Sequence, residues 1–227
     1  MKTKIIGYTA AVSLLILILC QSIIIPSFFM PFFHREYQRL NIAEAIQIEY
    51  DELIEVTRGL LDYMRGRRDT IEDITATVAG EYRIFFSEIE VRHMIDVRFL
   101  YDLLFYVRNI SLVLFVAACI ALKCLKERVL LIIARTSRQV FIGFLAAVIL
   151  LALIILIDFD RAFIRFHLIF FNNDYWLLDP RVDLLINMVP IYFFINISIF
   201  IGAIMAGVPI LLIGASTIYL HKQKNKC

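Results

Sequence analysis

The sequence predicts an all-α integral membrane protein: four transmembrane helices with a small helical extracytoplasmic cap. Three observations predict it. The 227-residue chain is 61% hydrophobic, with a mean hydropathy of +0.79, well outside the range of a soluble domain. Four long apolar runs occupy residues 5–25, 107–122, 140–157 and 191–220. A helix needs ~20 mostly apolar residues to cross the hydrocarbon core, so each run can span, the second and third near the lower limit. Finally, all seven lysines fall in three segments that four crossings place on one side.

The first run resembles a signal peptide, but its apolar stretch is too long and no small-x-small cleavage site follows. Leu17-Ile18-Leu19-Cys20 is a poor lipobox, because Leu19 is too large for the position before the cysteine. The run reads as an uncleaved span. Residues 26–106 then form the cap. Apolar Ile42, Ile46, Leu53, Leu60 and Met64, with acids between them, approximate the stripe of one helix, which Gly66-Arg67-Arg68-Asp69 terminates. A second helix is expected to start near residue 72 or 81 and run into the second span, since neither Pro nor Gly interrupts 81–122. Such a cap has one apolar face and should lie on the membrane.

Residues 123–139 form a cytoplasmic loop, and 158–190 an outer loop that completes the cap. The stretch 184–220 is ~55 Å long as a helix, more than one crossing needs. The reading is one tilted span from 191, with the part up to Pro190 left in the cap and a tail at 221–227. Gly202/Ala206 and Ala203/Gly207 have small-xxx-small spacing, which reads as plain helix packing.

Orientation follows from the basic residues beside the spans. Lys2 and Lys4 precede the first span. Lys123, Lys126, Arg128, Arg135 and Arg138 fill the second connection, and Lys222, Lys224 and Lys226 the tail. All three segments belong on the cytoplasmic side, with both termini. No basic stripe lies elsewhere, which excludes nucleic acid as a partner. Cys20, Cys119, Cys124 and Cys227 fall in spans or inside, so the cap folds without a disulfide.

Polar groups at a membrane surface are costly, so two histidines stand out. In Glu88-Ile89-Glu90-Val91-Arg92-His93-Met94-Ile95-Asp96-Val97-Arg98, a helix puts Glu90 and Asp96 on the face of His93. Either carboxylate could fix a ring nitrogen. The competing reading is a solvated face with Glu88–Arg92 and Arg98–Asp102 pairs. His167 lies among Phe166, Phe170 and Phe171, which would desolvate it and keep it neutral, as a general base requires. Tyr175 and Trp176 read individually as interfacial belt residues, His34 as an interfacial residue, and His221 has no evident role. No Gly-x-Ser-x-Gly, His-Glu-x-x-His or phosphate loop is present, and no short ligand pair suits a metal. Neither a metal nor another cofactor is expected.

Glu90-x-x-His93-Met94-x-Asp96-Val97, followed by His167-x-x-x-Phe171-x-Asn173-x-x-Trp176-x-Leu178-x-Pro180-x-x-Asp183, resembles the lipoprotein intramolecular transacylase (Lit) family of Gram-positive bacteria. The resemblance implies a four-helix membrane bundle with an extracellular cap in the cell membrane, active at the outer leaflet. It implies an O-to-N acyltransferase that moves the sn-2 acyl chain of a diacylglyceryl lipoprotein onto the amine of its N-terminal cysteine, leaving the lyso form. It also implies catalytic roles for His93 and His167. Donor ester and acceptor amine share one molecule, so no acyl-enzyme is needed, and attack closes an eight-membered ring. Folding the substrate for that attack is the main task. An α-amino group of free pKa ~7.7–8.0 loses its proton to an imidazole at little cost. One histidine would take that proton while the other stabilises the oxyanion or protonates the leaving oxygen. Arg92, Asp96, Arg98, Asn173, Tyr175 and Trp176 are the substrate-binding candidates.

Two other readings separate cleanly from this one. A membrane sensor or binding protein, whose cap holds a lipid or peptide, would tolerate His→Asn, though the short cytoplasmic segments offer little to transmit a signal. Lipid hydrolysis by the same pair would release free fatty acid.

Overall fold

The computed structural model describes residues 1–225, so Lys226 and Cys227, at the end of the expected tail, lie outside the described residues. Among the described residues four helices are long and apolar enough to cross a membrane: α1 (Lys2–Ser27), α5 (Glu88–Cys124), α6 (Val129–Ile157) and α9 (Ile191–Lys224). Between them in the chain come α2 (Met30–Arg39), α3 (Ile42–Ala45), α4 (Tyr50–Met64), β1 (Thr75–Val78), β2 (Glu81–Ile84), α7 (Phe159–Phe170) and α8 (Leu184–Met188). The chain divides into two compact units.

The first unit comprises Met1–Ile25, Leu104–Phe159 and the chain from Ile199 onward. Many of its apolar side chains face outward: Leu112, Val113, Ile149, Leu150, Ile210 and Leu211 are each at least half exposed. A surface that apolar is suited to lipid, not water. Helix contact within the unit relies on a missing side chain. A Cβ at Gly7 would sit 2.6 Å from Ile132 Cγ2, so only glycine lets α1 approach α6 this closely. The Thr136 hydroxyl then donates to the Gly7 carbonyl at 2.9 Å, and Tyr8 donates to Gln139 Oε1 at 2.6 Å. Interhelical hydrogen bonds of this kind supply what hydrophobicity cannot supply in lipid.

The turn from α5 to α6 ends in a Schellman motif, with Glu127 N–H donating to the Leu122 carbonyl at 3.1 Å and Lys126 N–H to Lys123 at 2.9 Å. Lys126 holds the left-handed position, at φ 57°.

The second unit comprises Pro26–Leu103 and Asp160–Ser198, and it has a conventional core. Phe32, Phe33, Tyr37, Leu53, Phe85 and Phe193 are buried there, with Phe33 and Phe193 rings 5.2 Å apart. Glu36 is buried in this core too, held by Arg35, Arg39 and the Asn196 amide.

Three expectations are corrected in this unit. The single stripe helix from Ile42 to Met64 is two helices, because Gln47 turns left-handed at φ 55° and Ile48 pairs with Val78. The helix expected from 72 or 81 begins at Glu88 instead. Before it lies an antiparallel hairpin, Thr75↔Ile84 to Val78↔Glu81, turned at Ala79-Gly80 with both φ positive (53° and 82°). That is the turn chemistry of a two-residue hairpin, and β-branched Thr75, Thr77 and Val78 favour strand over helix. The segment 158–190, expected as an outer loop, is also partly helical, since α7 takes up a dozen of its residues. Gly66, by contrast, ends α4 with φ 72° and both Schellman bonds, at the turn read from the sequence.

Candidate active site

His93 sits near the start of α5, in the charged stretch that precedes the apolar run of that helix. His167 sits in the last turn of α7. Both are buried, with ring centroids 6.0 Å apart, and the Phe171 ring packs against each at 5.3 and 5.5 Å. Trp176 stacks on His167 at 4.9 Å, and Phe163 lies 4.3 Å from it on the preceding helical turn. Two imidazoles therefore share an aromatic-walled site within one unit.

The rings are held differently. His167 Nδ1 lies 2.8 Å from the Phe163 carbonyl oxygen. A carbonyl only accepts, so Nδ1 carries the proton, and the lone pair is left on Nε2. His93 Nδ1 is sealed from solvent with no hydrogen-bond partner among the described residues. A stranded N–H there would be costly, which puts the proton of the neutral ring on Nε2. The His93 pKa is lowered to about 4, chiefly by burial and secondly by the nearby His167, with Asp96 opposing both. Burial also lowers the pKa of His167, while the Phe163 carbonyl works against the shift. Both rings are neutral near pH 7.

Neither acid hydrogen-bonds a ring, contrary to one of the two sequence readings. Glu90 turns away and accepts the amides of Ser87 and Leu185, each at 2.5 Å. It is fully buried, and its pKa is raised by that burial and, more weakly, by Asp183, with the amides pulling the other way. Asp183 in turn accepts the Ser87 hydroxyl at 2.8 Å and the Asp179 amide at 2.8 Å. This acidic knot ties the N-terminus of α5 to the segment that follows Trp176. Asp96 Oδ2 accepts from Asn173 Nδ2 at 2.8 Å, and Asn173 Oδ1 takes the Tyr175 amide at 3.1 Å, which fixes the loop carrying Trp176.

The remaining candidates fall outside the ring pair. Arg92 is exposed, bonded to Glu88 at 2.6 Å, and its guanidinium lies 5.5 Å over the Tyr175 ring. Arg98 is a strut: it donates to the Arg68 carbonyl at 3.1 Å and lies over Tyr63, so the expected pairing with Asp102 does not form. His34 accepts or donates to Tyr50 at 2.7 Å, and His221 is exposed at the end of α9. Sequence reasoning missed the partner of His167. A helical i−4 carbonyl was the available signal, once α7 was recognised as a helix.

The class these features define is a multi-pass helical membrane protein with a buried imidazole pair. A family model for the lipoprotein intramolecular transacylase Lit matches residues 8–194. The fold is similar to that of the membrane integral lipoprotein intramolecular transacylase Lit from Bacillus cereus, at 24% identity and TM-score 0.78, covering 100% of this chain and 99% of that one. Structures of the same enzyme with one histidine replaced by arginine or by alanine match at 23% identity and TM-score 0.73. They cover 99% or 100% of this chain and 94% or 96% of the other. Comparison with curated proteins yields no match. The chain belongs to the lipoprotein intramolecular transacylase Lit family, and it is an acyltransferase acting on lipoproteins.

Proposed function

We propose that His93 and His167 carry out the transfer of the sn-2 acyl chain of a diacylglyceryl lipoprotein to the α-amine of its N-terminal cysteine, at the outer leaflet. Both termini lie in the cytoplasm, residues 26–106 and 158–190 form the outer cap, and residues 123–139 the cytoplasmic loop. The single observation that supports this best is the unlike setting of the two rings: His167 Nδ1 is held by the Phe163 carbonyl, which leaves its Nε2 as the base, whereas His93 Nδ1 has no partner among the described residues, which leaves its Nε2–H as the donor.

His167 Nε2 acts as general base. The substrate amine sheds one proton to solvent, and its nitrogen attacks the ester carbonyl carbon while His167 takes a second proton. His93, too acidic as an imidazolium to compete for that proton, donates its Nε2–H to the carbonyl oxygen as negative charge builds there. The tetrahedral adduct collapses when the His167 imidazolium protonates the glyceryl oxygen. The carbon–oxygen bond breaks, the carbon–nitrogen bond remains, and both rings return to neutrality. Nothing covalent forms on the protein. Aromatic walls exclude water, which would otherwise take the acyl group and release fatty acid. Trp176 holds the plane of His167, and Asp96, Asn173, Tyr175 and Arg92 line the approach of the substrate; Arg98 acts only through the fold.

The test is mass spectrometry of lipopeptides from cells that make diacylglyceryl lipoproteins, with this protein present or absent. Unchanged lipopeptide mass with the acyl group relocated to the cysteine nitrogen is the expected result. His167→Asn and His93→Asn should each lower the rate by ~10²–10⁴, the range for a positioned acid or base. Relocation that persists in both variants would overturn the pairing, and free fatty acid in its place would favour hydrolysis.

A further inference from the structure

Asp96 is half-buried, yet among the described residues it has no ion-pair partner. Its two nearest arginines in sequence are engaged elsewhere, Arg92 by Glu88 and Arg98 by the Arg68 carbonyl. One carboxylate oxygen is pinned by Asn173 at 2.8 Å, and the other accepts no hydrogen bond from the described residues. Asp96 opens on a groove of about 440 Å3 whose walls include Phe99, Leu168, Phe170 and Phe171. Phe171 is the ring that touches both histidines. On α5, Asp96 lies one turn beyond His93 on the same face, and its charge reaches that ring.

A half-buried carboxylate with no ion-pair partner, beside aromatic and aliphatic walls, is costly unless something cationic completes it. A solvated surface acid needs no fixed orientation, whereas the Asn173 amide holds this one in a single pose. Phe99, Leu168 and Phe170 give an acyl chain apolar wall to lie against beside the charge, while Asn172 and Asn173 line the groove as well. We infer that Asp96 is the binding residue for the α-ammonium group of the substrate's N-terminal cysteine, oriented by Asn173 so that its open oxygen takes the ammonium N–H at the mouth of the groove. This rests on the transacylase reading above and names the part of the substrate that Asp96 recognises.

At neutral pH most free α-amino groups are protonated, so a site built only for the neutral amine would meet little substrate. Capture as the ammonium lets the predominant form bind and places the nitrogen beside the ring pair, where it sheds one proton to solvent before attack. The same negative charge then stabilises the imidazolium formed during attack. Asp96 is a substrate-binding group on this view, and the proton transfers remain with the histidines.

The experiment uses the purified full-length protein and an unreactive diacylglyceryl-type lipopeptide, with an ether in place of the sn-2 ester. It compares the free amine with its N-acetylated form, which has the same lipid and no charge. Wild type should bind the free amine roughly tenfold to a hundredfold more tightly, the worth of a charge-assisted hydrogen bond. Asp96→Asn should remove the preference by weakening only the free-amine probe, and Asp96→Glu should restore part of it. Equal binding of both probes by the wild type overturns the inference without recourse to any variant, and so does a preference that survives Asp96→Asn. Binding of neither probe overturns the inference and the transacylase reading together. Strong binding without discrimination overturns the inference alone.

Discussion

The two units bury opposite kinds of group. In the first, many apolar side chains point outward and the buried polar groups are small hydroxyls, Ser13, Ser22, Ser111, Thr136 and Ser137. In the second, an aromatic core encloses carboxylates and imidazoles: Glu36, Glu90, Asp183, His93 and His167. On the proposed function, the contrast separates anchorage from chemistry. Lipid accepts an apolar surface at no cost, so the first unit needs only close packing and a few hydrogen bonds. The second unit must satisfy or expend every buried charge, and that is where a reaction can be carried out.

Four perturbations break or sharpen this contrast. The largest effect on stability should come from Glu90→Gln, which leaves one oxygen to serve two buried amides and turns an amide NH2 toward one of them. A loss of about 2–4 kcal/mol is expected in thermal or denaturant melts, against less than about 0.5 kcal/mol for the exposed Glu88→Gln. Equal effects of the two would remove the case for a buried acidic knot.

Acid should act on the second unit next. The folded-state pKa values of His93 and His167 lie below the ordinary 6.5, that of His93 at about 4. Between those values the unfolded chain binds protons that the folded chain refuses, so the histidine contribution is complete above pH 6.5 and lost as pH falls toward 4. Melting temperature should drop across that window by the equivalent of a few kcal/mol at most, and His93→Gln should flatten the dependence. A slope unchanged by His93→Gln would place the sensitive group elsewhere.

Gly7→Leu probes the first unit. It forces α1 away from Ile132 and Thr136, and about 1–3 kcal/mol should be lost, the usual cost of overpacking. Residual activity per folded molecule should be preserved. Activity lost at full stability would contradict the division between anchorage and chemistry. The smallest effect belongs to Lys126→Gly, which relieves a left-handed lysine in the α5–α6 turn and should add about 0.5–1 kcal/mol in the same melts.

How much of this was legible depended on how local each signal was. The four crossings are read from composition over ~20 residues, and α1, α5, α6 and α9 carry them. Gly66 was legible as a stop because glycine alone readily accepts its φ of 72°. The hairpin was not, since four-residue strands leave too short a pattern and Ala79 and Gly80 advertise only half of the turn. His93 and His167 stood out as residue types in costly surroundings. Their partners did not. Glu90 was aligned with His93 by helical spacing, yet its oxygens are taken by a neighbouring amide and one 95 residues away, at Leu185.

By itself the sequence determined the helical membrane class and the number of crossings, and it singled out the two histidines to which the chemistry is assigned in the proposal. Those properties follow from transfer free energies and residue inventory, which any stretch of chain carries with it. Only the tertiary structure decided that the two rings share one aromatic site, which nitrogen of each keeps its lone pair, that Glu90 serves backbone amides, and that Asp96 is pinned by Asn173. Each of these depends on atoms 70 or more residues apart, or on which neighbour wins a hydrogen bond. A hydrogen bond is settled within a few tenths of an ångström, a scale that spacing along the chain does not encode.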